Sequence, residues 1–211
     1  SFTGHCPYFL MTKCDKWRTG CYDCPVIADY PASMIDSSKF MWEQKNKWFN
    51  GVDNMTIVTP SEWLAGLVKQ SFLRDYHVRV INNGIDLRIF KPIISSFREK
   101  YRINNQYIVL GVALGWDKRK GLDVFIDLSK TLDERFKIVL VGTNDIIDND
   151  LPSNIISIHK TYNQSELAEI YSSSDVFVNP TREDNFPTVN LEALACGTPV
   201  ITFETGGSPE M

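Results

Sequence analysis

After Pro92 the apolar residues fall into two alternating patterns. Tyr107 to Leu114, Phe136 to Val141, Ile155 to Ile158, Val176 to Val178 and Val200 to Phe203 are near-continuous apolar runs of strand length. Between them, Leu122, Phe125, Ile126 and Leu132 recur at helical spacing. Leu167, Ile170, Tyr171 and Ser174 do the same, with Asn163 and Glu166 as a capping pair. Another helix is expected over Thr188 to Cys196, stopped by Gly197 and Pro199. Strands without polar alternation, separated by helices, predict a parallel sheet covered on both faces. Such sheets meet ligands at the carboxyl ends of their strands.

Ahead of Pro92 the pattern is less regular. Gly4, Pro7, Gly20, Pro25 and Pro31 punctuate residues 1–38. A helix is expected over Lys39 to Asn50, a strand over Met55 to Val58, and a helix from Glu62 to about Phe72 with Ser61 as N-cap. Val78 to Ile81 reads as a strand. Asn82-Asn83-Gly84 reads as a sharp turn, because Asn and Gly tolerate positive φ.

Composition narrows the classes. Of 211 residues, 43% are hydrophobic and 23% charged, which suits a folded globular chain and excludes a disordered one. No apolar run approaches a membrane span. With 22 basic and 26 acidic residues the formal net charge is −4, which argues against a general nucleic-acid binder. Ser1 directly precedes a Cys-rich stretch, and the chain ends on Gly206-Gly207-Ser208-Pro209-Glu210-Met211. It therefore reads as part of a larger protein.

Cys6, Cys14, Cys21 and Cys24 cluster near the start, and Cys196 stands apart. A Cys-x-x-Cys pair lets two thiolates reach one tetrahedral ion, and two earlier cysteines could complete a structural zinc site. Reduced structural thiols and disulfides are the other readings. His5 is adjacent and could replace one ligand.

Two strand ends carry candidate chemistry. Gly115-Trp116-Asp117-Lys118-Arg119-Lys120-Gly121 follows the first strand after Pro92. Three basic residues between glycines, ahead of a helix, suit a diphosphate; a solvated basic turn is the plainer reading. The fourth strand runs into Asn179-Pro180-Thr181-Arg182-Glu183-Asp184-Asn185-Phe186-Pro187-Thr188, and the helix after it carries Glu192. Acidic side chains there accept hydrogen bonds from hydroxyls, and the helix start over residues 187–189 presents N–H groups to an anion. Acceptors for a polyol beside N–H groups for a phosphate fit a nucleotide sugar. Glu192 lies among Leu191, Ala193, Leu194 and Ala195, where a carboxylate needs a partner. The plainer readings are a surface helix residue for Glu192 and helix-end charge complementarity for Asp184.

Residues 176–204 resemble the sugar-donor signature of family 4 retaining glycosyltransferases, which have the GT-B fold. That signature is two acidic residues eight positions apart, followed by Ala-x-Ala-x-Gly-x-Pro-Val. Glu192 matches the second acid; Asp184, with Glu183 beside it, stands where the family usually has Glu. Asn83-Gly84-Ile85-Asp86, with Phe90 and Pro92, resembles the family's interdomain linker, and Lys120-Gly121 its phosphate-binding Lys-Gly. Trp116 stands where an Arg is frequent, which leaves Arg119 or Lys118 to supply that charge. Residues 1–50 resemble a Cys-rich subgroup from bacterial surface-polysaccharide clusters.

The resemblance implies an α/β GT-B fold of two Rossmann-like domains. Residues 1–86 would be the later part of the acceptor-side domain, with a Cys-rich insertion. Residues 87–211 would be most of the nucleotide-sugar domain. It implies glycosyl transfer with retention and without a catalytic metal, in the cytoplasm or at the inner face of the membrane, to a saccharide or lipid-linked acceptor. Lys120, Asp184 and Glu192 would be catalytic. Gly115, Arg119, Asn185, Phe186, Pro187, Thr188 and Val189 would join them around the nucleotide sugar. Rival readings are a sugar-nucleotide epimerase of the same fold and a nucleotide-sugar-binding domain without activity.

Overall fold

The computed structural model describes residues 14–25, 27–28, 33–103 and 105–211. The chain divides into two units, Ser1–Asn82 and Asn83–Met211. The division lies just ahead of the 86/87 boundary expected from sequence.

In the first unit, α1 (Ser38–Phe49) precedes β1 (Thr56–Thr59), α2 (Glu62–Val68) and β2 (His77–Val80). β1 and β2 pair in parallel, with Ile57 opposite Val78. Ile57, Val68 and Leu73 form their buried core. Ser61 caps α2 as expected, its Oγ accepting from Leu64 N–H at 3.1 Å. The helix stops at Val68, short of Phe72. There Ser71 Oγ donates to the Val68 carbonyl at 2.8 Å and accepts from Leu73 N–H at 3.1 Å, so a side chain takes over the backbone's partners.

The turn expected at Asn82-Asn83-Gly84 does not form. Residues 81–86 run without helix, strand or turn, and none of the three has positive φ. Ile81 N–H donates to the Thr59 carbonyl and Asn82 Nδ2 to the Pro60 carbonyl, both at 2.9 Å. These bonds extend the line of β2 instead of reversing it. The chain turns later, where Phe90 N–H donates to the Asp86 carbonyl at 2.9 Å.

The second unit opens with α3 (Phe97–Lys100) and continues as β3 (Tyr107–Val112), α4 (Leu122–Thr131), β4 (Phe136–Val141), α5 (Asp145–Asp148), β5 (Ile155–Ile158), α6 (Gln164–Ser172), β6 (Val176–Asn179), α7 (Thr188–Ala195) and β7 (Val200–Thr202). The sheet order is β5-β4-β3-β6-β7, parallel throughout. α3 and α5 were not expected; four residues are too few to show a helical period. α6 starts at the predicted cap, with Asn163 Oδ1 accepting from Glu166 N–H at 2.9 Å. β3 stops before Leu114, which is fully exposed.

Successive residues of β3 face opposite sides, and both sides are buried. Ile108 and Leu110 pack with Val139, Tyr171, Phe177 and Ala193. Val109 packs with Ile138, Leu140, Phe125 and Trp116. This is why the strands read as continuous apolar runs.

The amino ends of the sheet are held by polar contacts. Arg98 Nε donates to the Ser173 carbonyl at 2.9 Å, one terminal nitrogen to the Gln106 carbonyl at 2.8 Å, and the other to Asp175 at 2.5 Å. Asp175 also accepts from Ile108 N–H at 2.7 Å, so one cluster joins β3, β6 and the segment before β3. Arg98→Ala is expected to destabilise the protein by about 1–3 kcal/mol through these lost partners. Denaturant midpoints of the two proteins measure it, and equal midpoints would refute the assignment.

Candidate functional site

β3 lies between β4 and β6, so the chain leaves its neighbouring strands in opposite directions. A ligand crevice is expected outside the carboxyl ends at this switch point. Two loops border it: residues 113–121 after β3 and 180–187 after β6.

The first loop is built around its own side chains. Trp116 is buried, its indole N–H donating to the Val141 carbonyl at 3.0 Å and its ring meeting Phe125 edge-on. Trp116 is therefore a core residue beneath the loop. Asp117 Oδ1 accepts from Lys120 N–H at 2.8 Å, and the Asp117 carbonyl accepts from Leu122 N–H at 3.1 Å. Gly121 closes the loop at φ +81°, and a Cβ there would lie 2.7 Å from the Pro180 carbonyl oxygen. Only glycine lets the two loops approach this closely.

Lys120 and Asp184 meet across the crevice. Lys120 Nζ donates to Asp184 Oδ2 at 2.9 Å, with each side chain about three-quarters buried. Asp184 Oδ1 accepts from Phe186 N–H at 3.3 Å. The loop is fixed from behind by Gly206, where a Cβ would lie 1.7 Å from the Asp184 carbonyl oxygen. Sequence reading assigned Lys120 and Asp184 to separate parts of a ligand. The structure makes each the other's partner.

Glu192 faces a cleft of about 460 Å³ at the carboxyl ends of β3, β4 and β5. Gly115, Thr188 and Val189 line the same cleft, as do Gly142, Thr143, Asn144, His159, Lys160 and Thr161. Tyr171 Oη donates to Glu192 Oε2 at 3.2 Å, which supplies the partner that the apolar neighbours required. Burial pushes the Glu192 carboxyl above its ordinary pKa, and the Tyr171 hydrogen bond offsets part of that. Pro187, the N-cap of α7, offers no side-chain acceptor to the first turn. The N–H groups of Thr188 and Val189 thus begin a helix without a side-chain cap.

The structure therefore divides the expected residues. Gly115, Thr188, Val189 and Glu192 line the cleft, while Lys120 and Asp184 pair with each other and are not part of that lining. Phe186 and Pro187 are buried and Asn185 is exposed. Pro187 has no N–H, so the expected anion contacts over 187–189 reduce to two residues. Arg119 is exposed and lies 3.7 Å from Asp117; its carbonyl accepts from Arg182 N–H at 2.9 Å.

Cys14 and Cys24 are part-buried and Cys21 is buried, whereas Cys6 and His5 lie outside the described residues. Among the described residues, no three His, Cys, Asp or Glu side chains are placed to hold a metal ion. Sequence reading missed the walls made by residues 142–144 and 159–161. The strand-end rule alone would have found them, since they follow β4 and β5.

The family model for group 1 glycosyl transferases matches residues 106–211. The chain belongs to that family. A putative colanic acid biosynthesis glycosyl transferase, WcaC of Escherichia coli, is 24% identical over 100% of this chain and 51% of its own length. Sucrose-phosphate synthase from Thermosynechococcus elongatus superposes with a TM-score of 0.67 at 22% identity, covering 88% of this chain and 50% of that one. Anabaena HepE, solved with UDP and glucose, superposes with a TM-score of 0.61 at 20% identity, covering 74% and 46%. The fold is GT-B, and the chain spans about half the length of these relatives.

Two measurements test this geometry. Lys120→Ala and Asp184→Asn are expected to show a coupling of about 1 kcal/mol in a stability cycle, as contacting charged pairs do. Additive effects would show that the pair does not form in solution. Glu192 is tested by pH. A raised folded-state pKa means the folded chain holds this proton to higher pH than the unfolded chain does. Stability should therefore fall as pH rises from the ordinary glutamate value through the raised one. Glu192→Gln should flatten that part of the curve, read from denaturant midpoints at pH values from the ordinary glutamate range upward. Identical slopes would refute the role of burial.

Proposed function

We propose that the whole protein transfers a sugar from a nucleotide sugar to a saccharide or lipid-linked acceptor, as a retaining family 4 enzyme of surface-polysaccharide biosynthesis. The reaction would run without a catalytic metal, on the cytoplasmic side, with contact to the membrane through the acceptor. Among the described residues, no helix is long and apolar enough to cross a membrane. The observation that carries the reading is Glu192, a half-buried carboxylate on the wall of a cleft at the strand carboxyl ends, beside the uncapped start of α7. A carboxylate there can accept from the two vicinal ribose hydroxyls of a nucleotide. The Thr188 and Val189 N–H groups and the Lys120 ammonium then suit the diphosphate. The GT-B relatives, one solved with UDP and glucose, support the same ligand class.

In this reading the bond from the sugar's anomeric carbon to the diphosphate oxygen breaks as the acceptor hydroxyl attacks from the same face. The hydroxyl proton passes to the departing diphosphate. Lys120 and the helix start meet the negative charge that develops there. Asp184, which accepts from Lys120 Nζ at 2.9 Å, would also orient hydroxyls of the transferred sugar.

The full-length protein should transfer from one member of a panel of UDP-, GDP- and ADP-sugars, with the anomeric configuration kept and with activity surviving EDTA. Lys120→Ala should lower kcat/KM by about 100- to 1,000-fold while leaving the fold intact. Turnover of the variant at the wild-type rate, or inversion of the product seen by NMR, would overturn the mechanism.

A further inference from the structure

The most heavily bonded side chain at the switch point belongs to a residue that neither the sequence reading nor the proposed reaction uses. Arg182 sits in the loop after β6. One of its terminal nitrogens donates to Asp123 Oδ1 at 2.8 Å and the other to Oδ2 at 2.9 Å, a two-pronged pair with the first turn of α4. The nitrogen that meets Oδ1 also donates to the Lys118 carbonyl. Arg182 N–H donates to the Arg119 carbonyl at 2.9 Å. Lys118, Arg119 and Asp123 flank Lys120 in the chain, so this residue grips the loop on both sides of it. The Arg182 guanidinium holds the Asp123 carboxyl below its usual range, as expected for a formed pair.

We infer that Arg182 is a positioning residue that sets the Lys120 ammonium for the diphosphate by clamping the 118–123 segment to the loop that carries Asp184. This rests on the reading of Lys120 as the diphosphate contact. The physical argument is one of entropy and geometry. A lysine is a flexible point charge, and its use at a fixed site depends on how firmly its backbone is held. Asp117 shapes the loop internally, and Gly121 lets it approach Pro180 closely without bonding to it. Arg182 ties it to the Asp184 loop, because it lies two residues before Asp184 and bonds two carbonyls and a carboxylate on the other side of the crevice. A guanidinium can serve three acceptors in one plane, whereas an ammonium of similar length cannot keep that fork. Arg182 itself need not touch the ligand.

A positioning role predicts a dependence on Lys120 that a merely structural one lacks. Calorimetry on the full-length protein, with UDP, GDP and ADP as probes, first identifies the diphosphate that binds. Arg182→Ala should then weaken that diphosphate by about five- to thirty-fold in the wild-type background and hardly at all in the Lys120→Ala background. Asp123→Ala should reproduce the same background dependence. Arg182→Lys keeps the charge without the fork and should fall between wild type and Arg182→Ala; it also serves if the alanine variant does not fold. Equal weakening in both backgrounds, or none in the wild type, overturns the inference while leaving the function intact. If no probe binds, or if Lys120→Ala binds as wild type does, the assignment of Lys120 fails, and this inference fails with it.

Discussion

Everything at the site depends on β3 being hydrogen-bonded on both sides, to β4 and to β6. A central parallel strand must be covered on both faces, so the helices that follow it divide between the two sides. Where they part, no backbone crosses the carboxyl edge, and a gap remains between the loops after β3 and β6. The sheet creates the gap without any contribution from the residues that later fill it. Lys120 and Asp184 are joined across that gap, and Glu192 lines the cleft at the strand carboxyl ends.

The gap is narrowed by backbone contacts and then furnished by charge. Gly121 against Pro180 and Gly206 against Asp184 bring main chains closer than any side chain would permit. Across that distance a lysine and an aspartate can pair directly at 2.9 Å. The pair compensates both charges, which lowers the cost of holding them partly out of water. An arriving diphosphate would offer Lys120 a more strongly charged partner. Asp184 would then be free to accept from hydroxyls. Glu192 is held differently: its partner is a neutral tyrosine hydroxyl, so burial leaves the carboxylate short of hydrogen-bond donors. A ligand that brings two hydroxyls to it relieves that shortage. In the proposed reading the two carboxylates would meet different parts of one ligand, for physical reasons that differ.

Much of this was legible in the sequence. The central strands β3 and β4 declare themselves because both faces are buried and their runs are uninterrupted. Ser61 and Asn163 cap the helices they precede, since a side-chain cap is a local interaction. Local chemistry, basic residues between glycines and acids ahead of a helix, also marks the loops after β3 and β6 as candidates. Asn82-Asn83-Gly84 misled for the same reason. Its residues permit a turn, but bonds from Ile81 and Asn82 back to Thr59 and Pro60 hold the chain extended.

What the tertiary structure alone decided is pairing across sequence distance. Sequence marks Lys120 and Asp184 as charged and useful, yet their contact depends on two glycines whose tight neighbours are far away in the chain. Trp116 occupies a position where the resemblance suggested a basic residue, and only the packing against Phe125 and Val141 shows that it is core. Arg119 lies exposed beside Asp117, while Arg182, given no role from sequence, bonds Asp123 and the Lys118 carbonyl. A residue's type and its neighbours in sequence limit the bonds it can make. Which of those bonds form is set by the strand order, because that order decides which loops come within reach of each other.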